Sequence, residues 1–177
     1  AANEREEQEM KQAFDIVGWA TEIDRQSKAK KDFAVPAKLV TMNVEHGRDG
    51  DGDDVVGQPV LNLGVGSANA LPMLRRTHDQ LAANLEIPRP YYQRLLDADR
   101  PLLAANVNAW LARSTDRHLV RTLDGSARAW LSDRYRTLDN EDVVQFIAPV
   151  LERLGGDLHV RSCAVTEQRL YLKVGHK

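Results

Sequence analysis

Six residues between positions 121 and 136 are of the types that hold a single-stranded nucleic acid: Arg121, Arg128, Trp130, Arg134, Tyr135 and Arg136. Guanidinium forks pair with phosphate oxygens and never lose their charge, while an aromatic ring offers a base a surface to stack on. From Arg113 to Arg136 the chain carries six Arg against Asp116, Asp124 and Asp133, a local excess of positive charge. Strand alternation sets Arg121 opposite Val120 in facing, and Arg128 opposite Ala127 and Ala129, so one sheet face is expected to present cations and aromatics together. The same residues admit a purely structural reading. In it Trp130 and Tyr135 are core, and the arginines pair with Asp133, Asp139 and Glu141. Residues 39–172 hold fifteen Arg and no Lys, which suits phosphate and base recognition but equally a coding bias in a GC-rich genome.

Other chemistry is poorly supplied. Asp49, Asp51 and Asp53 alternate as the first ligands of a calcium loop do, but Asp54 stands where that loop needs Gly and Val60 where it needs its bidentate Glu. A solvated hairpin tip is the expectation there. Gly64-Val65-Gly66-Ser67 follows a strand, yet no third Gly of a dinucleotide fingerprint and no P-loop Lys comes after it. The five His (46, 78, 118, 159 and 176) show no metal-ligand spacing, and neither Ser132 nor Cys163 lies in a nucleophile turn. No catalytic residue, metal or cofactor is therefore assigned. One cysteine makes no internal disulfide, so stability must come from the core. Residues 80–95 resemble a helix-turn-helix, with Leu81-Ala82 and Leu85 ending one helix and Arg89 and Arg94 on the next. Glu86 replaces the usual turn glycine and Pro90 stiffens the second helix, so a plain helical hairpin accounts for the spacing as well.

The elements that would position these residues read as follows. A helix over 4–30 carries Met10, Phe14, Val17 and Ile23 at helical spacing, with acids early and bases late. Extended stretches at 33–44 and 55–65 flank the Gly/Asp loop as a hairpin. Helices are expected through Glu86, from Tyr91 to Asp97 and from Pro101 to Arg113, the last with Leu103, Val107, Trp110 and Leu111 on one apolar face. Asp124-Gly125 joins strands His118–Leu123 and Ser126–Leu131. Asp139 or Asn140 caps a helix bearing Val143, Val144, Ile147, Val150 and Leu151, and strands follow at 158–164 and 169–174. This is an α+β pattern of short antiparallel hairpins with four to five helices: an N-terminal helical arm over 1–31 and a single domain over 32–177. With 42% hydrophobic and 28% charged residues in 177, net charge −2, the composition is that of a globular protein. No apolar run is long enough to span a membrane and the acidic start is unlike a signal peptide, so a cytoplasmic location is expected.

Four ordered motifs then carry a resemblance. They are Leu85-Glu86-Ile87-Pro88-Arg89-Pro90-Tyr91-Tyr92, the run Leu103 to Leu111, Val120-Arg121-Thr122-Leu123-Asp124-Gly125, and Arg128-Ala129-Trp130-Leu131-Ser132-Asp133-Arg134-Tyr135-Arg136 continuing to Asn140. Over about residues 32–174 the chain resembles the phage/plasmid-like family known as domain of unknown function 932. The resemblance implies a protein of mobile elements, with no activity to carry over, and a C-terminal region continuing beyond Val174. Such elements carry replication, recombination and strand-binding functions together. The expectation is a DNA-associated accessory protein that binds or anneals single-stranded DNA without catalysis, as a homo-oligomer. Two alternatives stay open: a protein-protein interaction module acting on a host factor, for which the loop at 49–54 matters more, and a sequence-specific regulator using residues 80–95.

Overall fold

The computed structural model describes residues 16–48, 54–64, 70–153, 158–166 and 170–176. The start of the expected first helix, the aspartates 49, 51 and 53, and Gly66-Ser67 lie outside them. Along the described chain run α1 (Ile16–Ala29), β1 (Lys31–Pro36), a 3-10 turn (Ala37–Leu39), β2 (Thr41–Arg48), β3 (Asp54–Asn62) and β4 (Leu71–Pro72). Then come α2 (Arg75–Asn84), α3 (Arg89–Ala98), α4 (Arg100–Leu111), β5 (Arg117–Leu123), β6 (Ser126–Ser132), α5 (Asn140–Arg153), β7 (Leu158–Val165) and β8 (Leu170–His176). The fold is mixed α+β, with three small antiparallel sheets ordered β1-β5-β6, β2-β3-β4 and β7-β8. None of the described helices is long and apolar enough to cross a membrane.

The chain divides into two compact units, Lys31–Tyr135 and a second made of Ala1–Lys30 with Arg136–Lys177. In the second unit, α1 buries Trp19 and Ile23 against Cys163 and Val165 of β7. The Trp19 indole Nε1 donates to the Ala164 carbonyl at 3.3 Å. The segment set apart as an arm by its charge thus supplies half of a small core, while Val17 points to solvent. At its C-terminal end Lys30 pairs with Asp139 at 2.5 Å and Ser27 donates to Glu141, tying α1 to the start of α5.

The larger unit is built by local chemistry that the sequence announces and by long-range pairing that it does not. Asp124 and Gly125 both take positive φ, the turn that matches the twist of two antiparallel strands, and so join β5 to β6. Asp99 caps α4 by accepting the Leu102 N–H at 3.0 Å, with Pro101 in the first turn. Helix α2 ends at Glu86, whose φ of 55° is left-handed; the Ile87 N–H returns to Ala82 O and the Glu86 N–H to Ala83 O. That is the Schellman pattern, with Ile87 buried beside the last turn. Two clamps then lock helices to strands. Asn108 of α4 accepts the Met42 N–H at 2.7 Å and donates to the Met42 carbonyl at 2.9 Å, pairing both backbone groups of one β2 residue. On the other side, α2 covers β6. Thr77 donates to Ala127 O at 2.6 Å, and Gln80 accepts the Trp130 N–H at 2.9 Å. Leu61, Leu63, Leu81, Leu103, Val107, Leu111 and Val120 fill the core between these layers.

Two imidazoles are buried in this unit. His78 shares a 2.8 Å hydrogen bond with the Tyr92 hydroxyl, and burial pushes its pKa down to about 4 against the opposing pull of Asp79. His118 stacks on Trp130 with ring centres 4.6 Å apart. Burial also lowers its pKa, opposed by its contact with the Leu131 carbonyl and by Asp116 and Asp133. The His78 ring stays neutral in the folded chain down to about pH 4 and gains a proton on unfolding near its ordinary 6.5, and the lowering at His118 acts in the same direction. Stability is therefore full above that pH and falls as pH drops through the window from 6.5 toward 4. Urea denaturation is expected to show about 2 kcal/mol less stability at pH 5 than at pH 7 for His78 alone. A flat profile over that interval would contradict a buried, neutral His78.

Candidate functional site

The six residues expected to form a strand-binding face do not share one. Arg121 is 7% exposed and its Nε lies 3.0 Å from an Asp32 carboxylate oxygen on the directly opposed residue of β1. Trp130 is 2% exposed, pairs across the sheet with Val120, and donates its indole N–H to Asn84 Oδ1 at 3.2 Å. The register with β6 runs from Arg121 opposite Ala129 to Thr122 opposite Ala127, so Arg128 is the extra residue of a β-bulge and alternation breaks on β6. β5 is the central strand of its sheet, between β1 and β6, and Val120, Arg121, Thr122 and Leu123 are buried in succession. Trp130 has no face open to a base. Arg128 is half-buried, Arg134 and Tyr135 are exposed beyond the end of β6, and Arg136 belongs to the other unit.

An exposed aromatic site lies elsewhere in the larger unit. The Schellman end of α2 brings Leu85, Glu86 and Ile87 beside the first turn of α3, and α4 ends opposite them. Between these ends is a cleft of about 500 Å³ whose lining includes Ile87, Tyr91, Asn106, Trp110, Arg113 and Asp116. Trp110 is 50% exposed, although its spacing with Leu103, Val107 and Leu111 suggests a shared core face. On a helical wheel it falls about 60–100° from Val107 and Leu111, at the margin of the buried stripe. The Arg113 guanidinium sits 5.7 Å from the Trp110 ring centre, and that of Arg94 sits 5.4 Å from the Tyr91 ring. Each aromatic thus carries a cation three residues later, one turn along the chain, at cation-π distance. The loop that follows α4 is held in place by Ser114 N–H to Leu111 O and by Ala37 N–H to Asp116 O.

Chemically the cleft offers two rings, the Arg113 guanidinium, side-chain amides from Asn84 and Asn106, the Ser114 hydroxyl, and carboxylates from Glu86 and Asp116, with Arg94 outside the lining but over the Tyr91 ring. It contains no imidazole or thiol, and no described group of three His, Cys, Asp or Glu is placed to hold a metal. Such an inventory can bind by stacking and charge. The helix-turn-helix-like segment forms two walls of it. Arg89, which that reading offered to DNA, is 2.9 Å from Asp79, and Arg94 lies over Tyr91. The signal that would have found the site is the repeated spacing aromatic-x-x-Arg, at Tyr91/Arg94 and Trp110/Arg113.

No family model matches the chain, and comparisons with curated proteins and with solved structures find no match either.

Trp110 is half-exposed while Trp19 and Trp130 are 4% and 2% exposed. Trp110→Phe is accordingly expected to remove most of the iodide-quenchable tryptophan emission and leave an unquenched, blue-shifted remainder. Retention of the quenchable fraction would contradict the placement of Trp110.

Proposed function

We propose that the protein binds single-stranded nucleic acid without catalysis, as an accessory protein of a phage or plasmid, and that bases enter the cleft at Tyr91 and Trp110. The observation that carries this reading is the exposed Trp110 ring with Arg113 beside it, in one cleft with Tyr91, whose ring Arg94 covers from outside the lining. Ring and guanidinium together are what single-strand grooves use: the ring stacks a base of any identity and the cation follows the phosphate. Glu86 and Asp116 repel phosphate, so the backbone is expected along the Arg94 and Arg113 side, with the carboxylates toward exocyclic amino groups. The resemblance to the phage/plasmid-like family supplies the setting.

Fluorescence anisotropy with labelled single- and double-stranded oligonucleotides across a salt series tests the reading. The expected result is tighter binding to single strands, weakening as salt rises. Stacking of one base is worth about 1–3 kcal/mol, so Trp110→Ala is expected to weaken binding by about 5- to 150-fold. Replacing Arg94 and Arg113 together by Ala is expected to flatten the salt slope by about one to two. Undetectable binding at low salt would overturn the proposal and favour a protein partner. Binding that survives Trp110→Ala but is lost on Arg134→Ala would return the site to the stretch after β6. Preference for one duplex sequence would instead support a regulator.

A further inference from the structure

Helix α5 presents one solvent face on which the residues are ordered by charge. Asp142, Phe146, Pro149, Val150 and Arg153 fall within about 100° of one another on the helical wheel, and all five are exposed, Phe146 at 83%. The opposite side of the helix packs inward through Val144, which lies against the Trp19 cluster. The outward face therefore begins with an acid, has an apolar centre and ends with a base. Asp142 is held in the first turn, where its carboxylate accepts the Asp139 N–H at 3.0 Å.

From this order we infer that α5 is the contact surface of a homodimer, pairing antiparallel with α5 of a second copy about a two-fold axis. The argument is self-complementarity. An antiparallel pairing centred between residues 147 and 148 places Asp142 level with the second copy's Arg153, and Phe146 level with its Pro149. One centre satisfies the charge pair and the apolar pair at once, and the two-fold axis repeats both. A parallel pairing would set Asp142 beside Asp142 and Arg153 beside Arg153. Two helices of 14 residues make a contact at the small end of specific interfaces, so the dimer is expected to depend on concentration. The inference does not rest on nucleic-acid binding, and its failure would leave the cleft untouched.

Sedimentation equilibrium of the full chain from about 1 to 300 µM covers the range for a small interface. Wild type is expected to pass from monomer to dimer across it. Phe146→Asp, at an exposed position, is expected to stay monomeric with an unchanged circular-dichroism spectrum. Asp142→Arg or Arg153→Asp alone is expected to weaken dimerisation at least several-fold. Mixing those two single variants is expected to restore it as a heterodimer, since each then offers what the other lacks. Wild type that is monomeric throughout would overturn the inference. So would a dimer indifferent to Phe146→Asp, or single-charge variants that do not rescue one another on mixing.

Discussion

The larger unit depends on how the free edge of strand β6 is satisfied. A three-stranded sheet leaves backbone donors and acceptors on its outer strands, and each one buried without a partner costs about 1–3 kcal/mol. Here helix α2 lies along that edge and supplies the partners from its own side chains: Thr77 to the Ala127 carbonyl, Gln80 to the Trp130 N–H, Asn84 to the Trp130 indole. Leu74 adds a backbone bond to the same Ala127 carbonyl. Covering the edge in this way draws Trp130 inward against His118. The helix stops just past Asn84, where Glu86 turns left-handed ahead of Pro88. The cleft exists because that turn returns the chain into α3 opposite the end of α4.

Much of this is legible from local chemistry. The Asp-Gly hairpin, the proline-opened helices α3 and α4 and the α5 helix follow from backbone preferences that act within a few residues. What is not legible is long-range. β1 joins the sheet beside β5 across roughly ninety residues, pairing Asp32 with Arg121, and no pattern near either residue signals it. The bulge at Arg128 is likewise invisible in a strand that alternates plausibly, and it is the pairing of β1 with β5 that turns Arg121 from an expected cationic face into a buried ion pair. Helix α1 shows the same limit on a smaller scale. Val17 and Ile23 look like one apolar face, but the hairpin of β7 and β8 selects Trp19 and Ile23 and leaves Val17 outside.

The candidate site inverts the expectation in an instructive way. The residue types expected for strand binding, Arg beside Trp or Tyr, are densest in the sequence between 121 and 136. Density on a strand does not mean a shared face, whereas a separation of three on a helix does place a ring and a guanidinium together. Tyr91/Arg94 and Trp110/Arg113 meet that condition, and Tyr91, Trp110 and Arg113 line one cleft beside the turn at Glu86. Trp130, by contrast, contributes stability: its ring closes the core over His118 and its indole holds the end of α2 in place.

The three indoles give the most direct measurement. In an 15N-1H spectrum of the labelled protein each tryptophan side chain gives one indole signal, and Trp19, Trp110 and Trp130 are resolved by single Phe substitutions. Titration with a short oligo-dT is predicted to shift and broaden the Trp110 signal progressively, while Trp19 and Trp130 stay in place. Movement of Trp130 with Trp110 unmoved, or no movement of any indole at saturating oligonucleotide, would contradict the account of the cleft as the binding site.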